Sequence, residues 1–152
     1  QDLRGDVGVR AEQRLALCDK QLSSQDYAVV SRLLEANKKL TALDVSGNDT
    51  GASWADDVRS LFDDAAVVRT LQTVKVHAHT LDVKKICGGE HVEYARAGLA
   101  RIDAFAVAAL LRHNTHIRVV DLCHNGVQSD AIVDLCDALR GKTSLSSLLV
   151  AG

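Results

Sequence analysis

Three histidines and a cysteine near the middle of the chain, His77, His79, Cys87 and His91, are residue types that bind zinc. On an extended strand His77 and His79 project to the same side, and Cys87 with His91 would complete a tetrahedral set. Two features weigh against it. The halves of the set are joined by a segment whose own folding decides their separation, and His79 stands where a polar side chain is needed to face a loop. No metal ligand is assigned.

Other groups that do chemistry have simpler readings. Asp56-Asp57 and Asp63-Asp64 fall on a helix expected over Trp54–Ala66 and form a solvated face. Carboxylates act as acid or base only where surroundings and substrate are matched to them. Four cysteines, at 18, 87, 123 and 136, show no CxxC spacing. Cys136 is expected on a buried helix stripe, and Cys18 and Cys123 are too far apart for the roughly 7 Å reach of a disulfide. The sequence has no GxSxG, HExxH, GxGxxG or phosphate-loop motif. The chain is therefore expected to be no enzyme, with no catalytic residue, no cofactor and no small-molecule substrate.

The elements that position these residues follow from spacing. Leu40-Thr41-Ala42-Leu43-Asp44-Val45-Ser46-Gly47-Asn48 fits LxxLxLxxN, and Ile117 to Asn125 fits the same pattern. Leu71, Val74 and Val76 fit with His79 in the Asn place, Leu15 and Leu17 with Lys20, and Leu145, Leu148 and Val150 open another copy. The second apolar position falls at 15, 43, 74, 120 and 148, giving intervals of 28, 31, 46 and 28. A period of 28 residues with two insertions accounts for all four. Between these strands, apolar residues recur at helical spacing: Tyr27, Val30 and Leu34; Val58, Leu61 and Ala65; Ala104, Val107 and Leu111; Ile132, Leu135 and Leu139. Each unit reads as strand, loop, helix and return, with the Asn amide binding loop backbone groups.

LxxLxLxxN at this spacing, with a full helix per unit, resembles the leucine-rich repeats of the ribonuclease-inhibitor-like type, over residues 12 to 152. The resemblance implies an α/β solenoid of about four and a half repeats across residues 1–152, with a curved parallel sheet inside and helices outside. Strands are expected near 15–17, 43–45, 74–76, 120–122 and 148–150. Both insertions fall between strand and helix. The larger, near 80–97, has Gly88-Gly89 between two partly alternating runs, the pattern of a β-hairpin.

The inner face of such an array carries mixed charge, which suits a specific protein partner better than a polyanion. The residues expected to bind protein are Arg14, Asp44, Ser46, Lys75, His77, Arg118 and Asp121, with His124 in a loop and Tyr94 on the insertion. Lys plus Arg total 18 and Asp plus Glu 20, a net charge of −2, so no nucleic acid is expected as partner. No apolar run reaches the roughly 18 residues of a membrane span. The aliphatic composition, with no Pro, no Met and 3% aromatics, suits a thin stacked core. Gln1 in place of an initiator Met and the half-unit at the end suggest a piece of a longer chain. The expected function is a non-catalytic scaffold within a multi-subunit assembly. The alternative implied by the resemblance is a regulator of a small GTPase, of the GTPase-activating type, or an actin-filament cap. The expected location is cytoplasmic, in a cytoskeletal or ciliary assembly.

Overall fold

Capping and apolar spacing set the first strand–helix–strand unit of the chain. In the computed structural model, which describes residues 13–48 and 53–151, strand β1 (Gln13–Ala16) leads into helix α1 (Ser24–Ala36) and strand β2 (Leu40–Asp44). Ser23 caps α1 in a reciprocal pair with Asp26, satisfying two helix-start groups. Tyr27, Val30 and Leu34 bury one face of the helix. Asn37 ends it, its amide N–H on the Leu33 carbonyl and its side chain accepting from Lys39 N–H.

The next crossover is two helices, α2 (Trp54–Leu61) and α3 (Ala65–Thr70), before strand β3 (Thr73–Lys75). The single helix expected over Trp54–Ala66 is broken. Phe62 is fully buried, and its carbonyl is bonded by the His113 ring nitrogen at 2.6 Å instead of continuing the helix. The turn lets Val67, Val68 and Leu71 enter the core.

The chain then reverses. Strand β4 (Thr80–Asp82) lies antiparallel on β3, pairing Val74 with Leu81, and helix α4 (Val83–Gly88) follows at once. Strand β5 (His91–Glu93) begins a second sheet with β6 (Val119–Asp121) and β7 (Ser147–Leu149), joined through helices α5 (Arg101–Leu111) and α6 (Ser129–Leu139). The first sheet runs β1-β2-β3-β4 and the second β5-β6-β7, parallel throughout except for β3-β4.

This overturns the solenoid. Among the described residues, six helices and two short sheets make a small mixed α/β protein, not an elongated array on one curved parallel sheet. The physical cause is β4, which occupies the edge of β3 that a further parallel strand would need. The hairpin near 80–97 is overturned with it. Val83 and Ile86, three apart, are fully buried on α4, Asp82 accepts from the Lys85 N–H as its N-cap, and Gly89 ends it. The two runs flanking Gly88-Gly89 therefore join different sheets.

One apolar cluster nevertheless reaches from Leu15 to Leu139 across both sheets. At its centre α5 is buried from Ile102 to Leu111, and four small alanines let it pack against α2, α4 and α6. On α6 the expected stripe holds at Leu135 and Leu139, but Ile132 is half-buried and Cys136 exposed, and the buried face turns instead toward Ala131, Asp134 and Ala138. The cause is Asp134, turned inward to meet Arg59 of α2 at 2.9 Å.

Two asparagines brace the loops identically. Asn48 Nδ2 donates to the carbonyls of Leu17, Val45 and Ser46, and its Oδ1 accepts from Lys20 and Leu22 N–H. Asn125 does the same with Tyr94, Leu122 and Cys123, and with Ala97 and Leu99. Beside each bracket the backbone is left-handed, at Asp19 and Gly47 and at Arg96 and His124. Gly47 has a second reason to lack a side chain, since a β-carbon there would collide with the Asp19 carboxylate.

Candidate functional site

On the first sheet, residues facing away from the helices alternate with the buried Leu15, Leu43, Val74 and Leu81. Register aligns Ala16, Asp44, Lys75 and Thr80 in one row, and Arg14, Ala42, Thr73 and Asp82 in the next. Arg14, Ala42, Asp44, Thr73, Lys75 and Thr80 line an open groove of about 340 Å³. The groove is polar because β-sheet alternation sends every second side chain to this face.

Asp44 is its fixed point. The residue is only 5% exposed. Its Oδ1 accepts from the Ser46 amide at 3.0 Å and the Ser46 hydroxyl at 2.6 Å, and its Oδ2 from Arg14 at 2.8 Å. Burial alone would raise this carboxyl; the Ser46 bonds, the Arg14 guanidinium and the charge of Lys75 outweigh it and hold it below the usual carboxylate value. Asp44 is therefore charged at neutral pH and flanked by two cations.

The second sheet presents another character. Its rows are His91, Val119 and Ser147, and Glu93, Asp121 and Leu149. Asp121 Oδ1 accepts from the Cys123 amide at 3.0 Å, the counterpart of the Asp44–Ser46 bond. Its row neighbours are an exposed glutamate and an exposed leucine.

The residues expected to bind protein thus divide. Arg14, Asp44, Ser46 and Lys75 come together on the first sheet, with His77 exposed just beyond β3. Asp121 lies on the second sheet, Arg118 is exposed before β6, and His124 is exposed in the loop after it. Tyr94 follows β5 and reaches back toward the first sheet, its hydroxyl accepting from the Asp82 N–H at 3.2 Å; burial raises its phenol. Sequence reasoning missed Thr80 and Glu93 as face residues, because both lay inside the expected hairpin. The available signal was the 28-residue spacing from Val92 to Val120.

Of the zinc-type residues, His77 and His79 follow β3, Cys87 is on α4 and His91 is on β5 in the other sheet. Among the described residues no three His, Cys, Asp or Glu side chains are grouped to hold a metal. A second cleft, of about 320 Å³, contains Arg69, Lys84, Cys87 and His113. Three of its polar side chains are engaged: Lys84 Nζ on the Arg69 carbonyl, His113 on that of Phe62, and the Cys87 thiol on that of Leu110. Burial pushes the Cys87 thiol up to about 12, so it is not an activated nucleophile. The carboxylate pairs are dispersed as well: Asp56 meets Arg59, Asp57 accepts from Ser24 and Ser53, and Asp64 lies against Glu35, whose carboxyl it raises.

No family model matches the chain, and no curated protein sequence is significantly similar to it. Among the described residues no helix is long and apolar enough to cross a membrane.

Proposed function

We propose that the chain is a non-catalytic protein-binding module, a component of a larger assembly, whose binding surface is the open face of the first sheet with the loops that follow its strands. The observation that carries this reading is the row Asp44, Lys75 and Thr80 with Arg14 beside it. Charged and hydroxyl side chains from four strands are fixed on one face by backbone register. The backbone beneath this face is already ordered, so only its side chains lose freedom when a partner docks, which favours association. The second sheet, with Asp121 and Glu93, and the exposed Arg118 and His124 extend the surface. A cytoplasmic setting, in a cytoskeletal or ciliary assembly, is part of the same proposal; four unpaired cysteines support a reducing compartment.

The test is quantitative affinity capture with the intact chain, Lys75→Glu and a helix-face control, Val133→Ser, at a residue 61% exposed on α6. Partners that bind through the sheet are expected to fall at least tenfold with Lys75→Glu and to be unchanged with the control. The same partners at the same yield from all three proteins would remove this face from the binding site.

A further inference from the structure

The groove on the first sheet has an imbalance between donors and acceptors that points to the chemistry of its occupant; the inference rests on the protein-binding reading above. Among the described residues, the Lys75 ammonium has no hydrogen bond or ion pair, and neither do the Thr73 and Thr80 hydroxyls. Arg14 uses one nitrogen on Asp44, and its side chain is 59% exposed, leaving the rest of its donor fork open. Among the described residues lining the groove the one carboxylate, Asp44, already accepts three hydrogen bonds. Water satisfies these donors in the free protein, and a ligand that replaces the water must bring acceptors.

Charge narrows the choice. Among the described residues lining the groove, two cations flank one buried anion, a net charge near +1; Asp82, beside Thr73 at the edge of the same face, is already engaged on the Lys85 amide. A phosphate monoester concentrates about −1.5 to −2 at one point, whereas Arg14 and Lys75 are separate donors on different strands, which singly charged carboxylates and carbonyls spaced along an extended peptide match one by one. Shape narrows it further. Four strands about 4.8 Å apart span roughly 14 Å, the length of about four residues of extended peptide.

We propose that this groove binds an extended acidic peptide segment of the partner, a glutamate or aspartate carboxylate seating on Lys75 and the Thr73 and Thr80 hydroxyls, with neighbouring carbonyls or a second carboxylate on the open edge of Arg14. The second sheet, with Glu93 and Asp121 side by side and no cation in their row, is the built-in contrast and does not bind such a segment.

The experiment is fluorescence anisotropy with three labelled ten-residue probes that alternate serine with glutamate, lysine or phosphoserine, titrated with the full chain at low and physiological salt. The glutamate probe is expected to bind at least tenfold more tightly than the other two and to weaken with salt. Lys75→Glu is expected to lose tenfold or more, Lys75→Arg to retain binding, Thr80→Val to lose about threefold, and Glu93→Lys to lose nothing. Circular dichroism and the melting temperature establish that each variant is folded; Thr80→Val, at an exposed position, serves if Lys75→Glu is not. Equal binding of all probes, tighter binding of the phosphoserine probe, or glutamate binding indifferent to both Lys75→Glu and Thr80→Val overturns the inference. Capture that depends on Lys75 without any binding of the glutamate probe would refute the acidic segment alone and leave the protein-binding reading standing.

Discussion

The two sheets are built from the same parts and finished differently. Each has an aspartate at the end of its second strand that accepts an amide two residues on, an asparagine that laces two loops together, and a left-handed residue beside it. In the first sheet the aspartate is buried and met by Arg14; in the second Asp121 is half-buried, next to Glu93 and Leu149. What is shared is what a strand-to-helix turn needs to satisfy its backbone groups. Apart from the antiparallel β4 and the two-helix crossover of the first sheet, the two differ in their open faces, where folding makes few demands. Under the binding reading proposed above, that difference marks the surface that would meet a partner.

That contrast can be broken or sharpened by measurement. The largest effect is expected at the junction between the sheets. The Cys87 thiol, raised to about 12 from 9.0 by burial, should be alkylated at pH 8 on the order of a thousandfold more slowly in the native chain than in urea. Mass spectrometry following Cys87 peptides would read this; a native rate within tenfold of the unfolded one would mean that the sheets part readily. Next come the two brackets. Asn48→Ala, at a residue 2% exposed, leaves three carbonyls and two amides without their partner and should cost about 3 kcal/mol; Asn125→Ala, half-buried, about 2 kcal/mol. Urea unfolding would compare them, and a larger loss at Asn125 would reverse the ranking of the sheets.

The aspartates should differ more gently. Asp44→Ala is expected to cost about 2 kcal/mol at pH 7 and Asp121→Ala under about 1 kcal/mol. The Asp44 carboxyl is lowered from 3.8, so its contribution is fully present above that value and is lost as pH falls through the depressed native value. Melting temperatures of the two variants should accordingly converge below about pH 4. A gap that persists in acid would assign the Asp44 effect to packing. Arg14→Ala alone should cost less than about 1 kcal/mol, because its side chain is solvent-screened and Ser46 still holds Asp44. A larger loss would show that the ion pair is a structural element of the first sheet.

Sequence spacing located much of this and failed for definite reasons. Leu40–Asn48 and Ile117–Asn125 carry strand, loop and asparagine within nine residues, so local physics suffices to read them. Tyr27, Val30 and Leu34 are legible in the same way, because a helix face is a local periodicity. The break at Phe62 depends on His113, 51 residues on, and the rotation of α6 on Arg59, 75 residues away from Asp134. Neither leaves a mark in its own segment. The expected hairpin misread Gly88-Gly89 as a turn between paired strands, although Asp82 before Val83 and Ile86 was also a helix start. That one misreading hid β5 and turned two short sheets into a single long one. At the candidate site, Arg14, Asp44 and Lys75 were legible because alternation alone sends them outward; Thr80 required the direction of β4, which only its pairing with β3 decides.

The separation of the two sheets has a consequence for how the protein yields. Among the described residues no ladder bond joins β4 to β5, so the halves are coupled by side chains: α2 on α5, α4 between the sheets, and the Tyr94 hydroxyl on Asp82. Amides of β2, within a four-stranded ladder, and of β6, within a three-stranded one, can exchange with deuterated solvent through separate openings. Two classes of protected amide are the natural signature of such a molecule, the β5-β6-β7 class exchanging faster because Leu145, Leu148 and Val150 are only half covered. A partner that docked across both faces would merge the two classes into one, so the pattern of exchange would register how far a bound partner reaches.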